Sequence, residues 1–347
     1  MKALRYSGPF LFVLLIPLLC AVSDAAPFLS PLALLVALLV AEQLRLPPGQ
    51  GAPSAIFRGL PVLYIPLQLS VTLWAAREAA MASPLAFASL ATSLGICTGV
   101  FGMLAAHEMV HSRTHWHRVL GTAMLTGMSY RHFRIAHVHN HHRFAATDRD
   151  ASTARMGEGF YAFLVRTVPA QAAEAWRFER RRCCNRPFAM LQNRVGHDIF
   201  IVSAAYAALL LLWGWRAAAF FAAQSILAII VLELFNYVAH YGMTRVWFGG
   251  TLEPLSDHHS WNSPGTGNFL IFNMGRHSDH HHRPAISYEH LQPAPGAPEL
   301  PLGYAGSILL ALAPPLWRAV MDHRIKPLAA GSLEPGYADE SPAATMP

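Results

Sequence analysis

"LAFASLATSLGICTGVFGMLAAHEMVH", residues 85–111, is an apolar run that ends in two histidines. Residues 85–106 carry no charge and match the ~20 apolar residues a membrane-crossing helix needs. His107 and His111 continue that helix, and their i, i+4 spacing turns both imidazoles to one face. Taken alone, "HEMVH" is also what a zinc metalloprotease presents, two ligands with Glu108 as general base. Whether the pair stands alone or forms a corner of something larger depends on the rest of the chain.

The whole sequence is too apolar for an ordinary soluble domain. Of its 347 residues 53% are hydrophobic and 13% charged, and the mean hydropathy is +0.30. Five more apolar runs, 10–22, 28–40, 60–76, 199–213 and 217–235, make six candidate spans. Several are shorter than ~20 residues and need tilt or interfacial flanks to cross. The expected fold is therefore all-α and integral to the membrane: six transmembrane helices and a cytoplasmic cap of helices and loops that holds a histidine-rich dinuclear metal site. The divisions follow from the same pattern. Hairpins fill 1–106, a histidine-bearing region 107–198, a third hairpin 199–239, a second histidine-bearing region 240–325, and a disordered tail 326–347.

Arginine and lysine set the orientation. Lys2 and Arg5 precede the first run, Arg45 and Arg58 follow the second, and residues 107–198 carry more than a dozen arginines, whereas the alternate loops hold only Arg77 and Arg216. The positive-inside rule places both termini and both histidine regions in the cytoplasm of a bacterial-type inner membrane. The first run also resembles a secretory signal peptide, but removing it would leave an odd number of spans with the histidine regions on opposite sides. The net charge of +6 is explained by topology and by anionic membrane lipids rather than by nucleic acid. Four cysteines without CxxC spacing exclude thiolate-held clusters, so an electron carrier must be a separate protein.

Histidine is where the chemistry lies. Of 19 histidines most fall in clusters: "HEMVH", "HVHNHH" (137–142), "NYVAHYG" (236–242), "DHHSWNS" (257–263) and "RHSDHHH" (276–282). Helical spacing lets His137, His141 and His142 converge, with His139 competing with His137. His277, His280 and His281 repeat that logic, His282 competing with His281. With His107, His111 and His240 these make nine imidazoles from four segments, too many for one zinc, which takes at most four. Two metals absorb the number, and imidazole ligation with open positions suits iron that meets dioxygen. Metal-bound imidazoles usually donate their second ring N–H to a partner that fixes tautomer and orientation. Candidates are Glu108, Asp150, Asn236 and Asp279, together with Glu233, a carboxylate inside an apolar run and so a functional hypothesis by default. His258 and His259 are candidates for a supporting or lid role, whereas His115, His117, His132, His197, His290 and His323 stand apart.

In this order, "HEMVH", His137-x-x-x-His-His, "NYVAHYG", "HHSWNS" and "RHSDHH" resemble the membrane-bound alkane 1-monooxygenases (AlkB-type) and the related xylene monooxygenase hydroxylase component, within the fatty-acid desaturase/hydroxylase-like superfamily. The likeness extends through "DASTARMGEGFYAF" (150–163), "LPLGYAG" (300–306) and "PLWRAVMD" (315–322). It implies a di-iron centre on His107, His111, His137, His141, His142, His240, His277, His280 and His281 that hydroxylates a hydrophobic substrate with O2. It also implies electrons from NAD(P)H through a reductase and a rubredoxin or ferredoxin. Ala136 and Ala239 stand where the alkane enzymes usually carry an acid, and Gly275 where they carry glutamine. Desaturation or lipid hydroxylation on the same centre is the nearest alternative, an intramembrane zinc protease a distant one.

Overall fold

The structure, a computed structural model, describes residues 3–45, 55–184 and 189–331. In chain order its longer elements are α1 (Gly8–Cys20), α2 (Leu29–Gln43), α3 (Ala55–Ala79), α4 (Pro84–Cys97), a π-helical segment (Thr98–Gly102), α5 (Met103–Val110), α6 (His115–Thr126), α7 (Phe133–Ala136), a second π-helical segment (His137–His141) and α8 (His142–Phe144). Then follow α9 (Phe160–Cys183), α10 (Arg194–Trp213), α11 (Trp215–His240), α12 (His277–His282), α13 (Gly303–Ala311) and α14 (Pro314–Gly331). The only sheet among the described residues is the two-stranded ribbon β1–β2, pairing Trp247 with Leu252 and Phe248 with Thr251.

Five helices are long and apolar enough to cross a membrane: Ala26–Gln43, Phe57–Ala79, Pro84–Val110, Arg194–Trp213 and Trp215–His240. By length and composition they mark this as an integral membrane protein. α1, the first of the six expected spans, has 13 residues with Pro17 inside it, roughly 20 Å at 1.5 Å per residue. α14 carries helix through Gly331, so 326–331 of the expected tail are helical; residues 332–347 lie outside the described residues.

The rod Pro84–Val110 is the most deeply buried of the five, and glycine is the reason it can be. A Cβ on Gly99 would sit 2.7 Å from Val231 Cβ and 2.8 Å from the Ala228 carbonyl, so only glycine lets α11 approach here. Polar pins fix the rod along its length. Gln68 on α3 accepts from Tyr64 at 2.6 Å and donates to Thr98 at 2.9 Å, bonds contributing ~0.5–1.5 kcal/mol each when buried. At the other extreme, α10 is the least buried span, with Phe200, Leu211 and Leu212 exposed. The fold thus has a fixed axle carrying "HEMVH" and a lipid-facing outer helix.

Candidate metal centre

Four segments meet at one end of the axle. α5 and its C-cap residue bring His107 and His111, the second π-helical segment with the start of α8 brings His137, His141 and His142, α11 ends on His240, and α12 brings His277, His280 and His281. Their ligand-capable nitrogens form two groups, each with all atoms within 4.8 Å of one another: His107, His111, His137, His142 and His280 in one, His141, His240, His277 and His281 in the other. The two groups touch, for the His142 and His281 ring centroids are 4.8 Å apart.

Helix type decides which histidine joins which group. A π-helix advances more residues per turn than an α-helix, so in the second π-helical segment His137 pairs with His142, Nε2 to Nε2 3.0 Å, while His141 turns to the other group. An α-helical reading would have set 137 and 141 together. α12 keeps α-helical geometry: His277 and His281, i and i+4, share the four-membered group with Nε2 atoms 3.2 Å apart, and His280 crosses to the five-membered one. Each His-His doublet, 141–142 and 280–281, therefore gives one imidazole to each group.

The flanking sequence holds these segments. Tyr241 leaves the helical conformation with ψ 119° and Gly242 has φ +70°, a conformation that favours glycine and stops α11 just after His240. Trp261 donates its backbone N–H to the Ala239 carbonyl at 2.8 Å and its indole N–H to that of Tyr241 at 2.9 Å. Asn262 accepts from the Ser278 N–H at 3.0 Å and donates to the Ser278 hydroxyl at 2.8 Å. "SWNS" is thus the clamp between α11 and α12, a role the sequence did not suggest.

The donor set fits two metal ions. Imidazole nitrogens ~2.1 Å from a shared ion stand roughly 3 Å apart, and here His137 Nε2 lies 2.8 Å from His107 and 3.1 Å from His111. In the other group His240 Nε2 lies 3.1 Å from His277 and 3.2 Å from His281. Three or more nitrogens facing one point cannot all hydrogen-bond to one another, because each offers a proton or a lone pair but not both. The Nε2 atoms of His141 and His280 are buried with no hydrogen-bond partner. Burial pushes the His111 imidazole down to about 3, helped by His141. Burial and neighbouring rings also hold His137, His142, His277, His280 and His281 well below their usual 6.5. Neutral imidazoles with inward lone pairs are what a metal needs.

The expected supporting residues fare unequally. Asp150 Oδ2 lies 2.8 Å from His141 Nδ1 and accepts from Thr153 Oγ1 at 2.7 Å. Burial raises its pKa, but His141 beside it and the hydrogen bonds from His141 and Thr153 hold the carboxyl below the usual range. His259 reaches the site through its backbone: its carbonyl lies 3.2 Å from His240 Nδ1, while its ring Nδ1 caps Ser256. Glu233 is fully buried, and its hydrogen bonds come from Tyr130 at 3.2 Å, Gln171 at 2.9 Å and Asn236 at 3.1 Å. Asn236 is thus spent on Glu233 and not on His240. Glu108 accepts from the Tyr288 N–H at 3.3 Å, and Asp279 binds Arg283 and the Gln292 N–H. His258 has no bond to either group among the described residues. The acids of the alkane enzymes are replaced by buried methyls, Ala239 under the Trp261 N–H and Ala136 in a small cluster with Ile135, Ala175 and Val195. Where glutamine is usual, a Cβ on Gly275 would meet Asn268 Oδ1 at 2.5 Å.

Beside the histidines lies an apolar cavity of about 80 Å³, lined by His107, His137 and His277 and by Met103, Val231 and Phe235 among others. Phe235 stacks on Tyr304, centroids 4.4 Å apart, and meets His277 edge-on.

The family model described as fatty acid desaturase matches residues 82–304, which contain every one of the nine histidines. Alkane 1-monooxygenase of Ectopseudomonas oleovorans is 35% identical over 311 residues, covering 86% of this chain and 77% of that one. Alkane 1-monooxygenase 2 of Pseudomonas aeruginosa is 38% identical over 246 residues, 69% of this chain and 64% of its own. The xylene/toluene monooxygenase hydroxylase component XylM of Pseudomonas putida is 30% identical over 250 residues, 70% and 65%. Two converged groups of imidazoles and this breadth of similarity lead to one assignment: the chain belongs to the fatty acid desaturase family, in its alkane 1-monooxygenase branch.

Proposed function

We propose that the protein is a non-heme di-iron monooxygenase that hydroxylates a hydrophobic substrate, an alkane terminal methyl or the alkyl group of an aromatic. The observation that carries this reading is the convergence of nine imidazoles in two groups beside one apolar cavity. His107, His111, His137, His142 and His280 would hold one iron, and His141, His240, His277 and His281 the other. Iron bound there would supply the activation of O2 that an unreactive C–H bond demands and no side chain can provide. The chain's own residues do the rest. Asp150 keeps the His141 Nε2 lone pair turned inward, the His259 carbonyl does the same for His240, and Phe235, Met103 and Val231 keep water from the reacting carbon.

Topology belongs to the same proposal. α1 would be a tilted sixth span, both termini and the histidines would be cytoplasmic, and electrons would arrive from NAD(P)H through a separate reductase and a rubredoxin or ferredoxin. The hairpins at 1–106 and 199–239 would carry the histidine regions 107–198 and 240–325. The test is iron per chain in purified protein, then octane, xylene and a fatty acyl substrate offered with reductase, rubredoxin and 18O-labelled O2. Two irons and an alcohol carrying 18O are expected. A new double bond in the acyl substrate would favour the second reading, desaturation, which the description of the matching family model suggests. A single zinc with proteolysis would overturn both.

A further inference from the structure

A second cavity has none of the nine histidines in its lining. It is a groove of about 910 Å³ between α3, α6 and α10, near the top of the ~300–1,000 Å³ range of ligand sites. Much of its wall is apolar, with Leu69, Leu73, Leu209, Leu212 and Phe221. The charged residues of the wall are all cations. Arg118, Arg131, Arg134 and Arg194 line it, and the carboxylates that answer them are shared. Asp198 serves both Arg131 at 2.8 Å and Arg134 at 2.5 Å, and Glu179 serves both Arg194 at 2.6 Å and Arg182 at 2.7 Å. The hydrogen bonds of Arg118 go to the neutral carbonyls of Ser112 at 2.9 Å and Arg113 at 2.7 Å, and no carboxylate among the described residues pairs with it. The groove therefore keeps an excess of positive charge beside a long apolar wall.

We propose that this groove is a specific site for an anionic phospholipid, its headgroup phosphate on the arginines and its acyl chains along α3 and α10. A hydrocarbon would have no use for the arginines, and a free phosphate would leave the apolar wall empty. The position gives the lipid a consequence. Val110, at the end of α5, and Ile135, Val138 and His139, on the segment that carries His137, His141 and His142, also line the groove, so a bound lipid packs behind both histidine-bearing elements. This inference is independent of which reaction the metal centre performs.

The experiment uses the full chain, delipidated in mild detergent and titrated by native mass spectrometry with phosphatidylglycerol and phosphatidylcholine of identical acyl chains, and separately with inorganic phosphate. Phosphatidylglycerol is expected to bind preferentially and to raise the melting temperature. Arg118→Gln should weaken it about fivefold, the effect of one cation near an anionic headgroup, and leave phosphatidylcholine unchanged. Ala208→Trp, at an exposed position on the groove wall, should weaken both lipids, with iron content confirming the fold. Equal retention of the two lipids, phosphate binding as strong as the lipid's, or indifference of phosphatidylglycerol to both substitutions would overturn the proposal.

Discussion

The two histidine groups use one ligand chemistry and are supported differently. In the group of four, His141 is tied to Asp150 and His240 to the His259 carbonyl, so two of four rings have their outer nitrogen fixed. Each group also has two Nδ1 atoms buried without partners, those of His277 and His281 in the group of four and of His107 and His142 in the group of five, but no carboxylate bonds to any ring of the five among the described residues. Its order comes from number and packing instead: Phe133 stacks on His137, centroids 4.6 Å apart. One group thus has half of its rings fixed by hydrogen bonds and no imidazole to spare, whereas the other has an additional imidazole.

The largest effect should come from removing a ligand, and it should differ between the groups. His281→Ala takes the group of four to three and is expected to empty that site and lower product formation by more than ~100-fold, beyond what loss of a supporting residue usually costs. His142→Ala leaves four imidazoles in the other group, so more metal should be retained. Iron per chain in the two variants decides, and equal losses would break the comparison. Next in size is Asp150→Asn, expected to cost about 10- to 100-fold in metal affinity or activity. Glu233→Gln, whose carboxylate bonds no imidazole, should leave iron content unchanged. A drop in iron on Glu233→Gln would mean that the group of four has a second anchor reached through Asn236.

How much of this was legible in the sequence depended on the period assumed for each segment. Which histidines would gather could be read because clusters follow apolar runs, as His107 and His111 follow 85–106. Their division into five and four could not be read, since it turns on a π-helical segment at 137–141 that shifts His142 onto the face of His137. Glu233 and Asn236 illustrate the other limit. Both lie on the helix that ends in His240, four and seven residues before it and so on one face with it; the structure bonds them to each other because a buried carboxylate must first find donors of its own. The clamp at Trp261 and Asn262 gave no signal beyond its place in "HHSWNS", for its bonds are to backbone brought near only by folding.

Acid should act on both groups, because burial is the common cause of their lowered pKa values. An unfolded histidine takes a proton near its usual 6.5, whereas folded His111 waits until about 3. Two histidines outside the groups behave alike: burial pushes His132 and His259 down to about 4. The folded pKa lies below the unfolded one, so the unfolded chain binds more protons as the pH falls. Stability is then complete above about 6.5 and lost progressively toward about 3. Melting temperatures of chelator-treated protein from pH 8 to 4 should be level down to about 6.5 and fall below it; a flat profile would mean that the groups are open to water.

The smallest expected effect distinguishes the two ways a residue can support a ligand. His259 stands in a histidine-rich motif, yet what lies beside His240 is its backbone carbonyl, and its ring bonds to Ser256 and approaches Glu253 at 3.6 Å. His259→Asn keeps the carbonyl and a short polar side chain able to cap Ser256. It should cost ~1 kcal/mol or less of stability, as changes among good capping residues do, and leave iron content and turnover as they are. If iron fell as far as in Asp150→Asn, the ring itself would be needed. The group of four would then be held by side chains alone, and its contrast with the group of five would reduce to a single carboxylate.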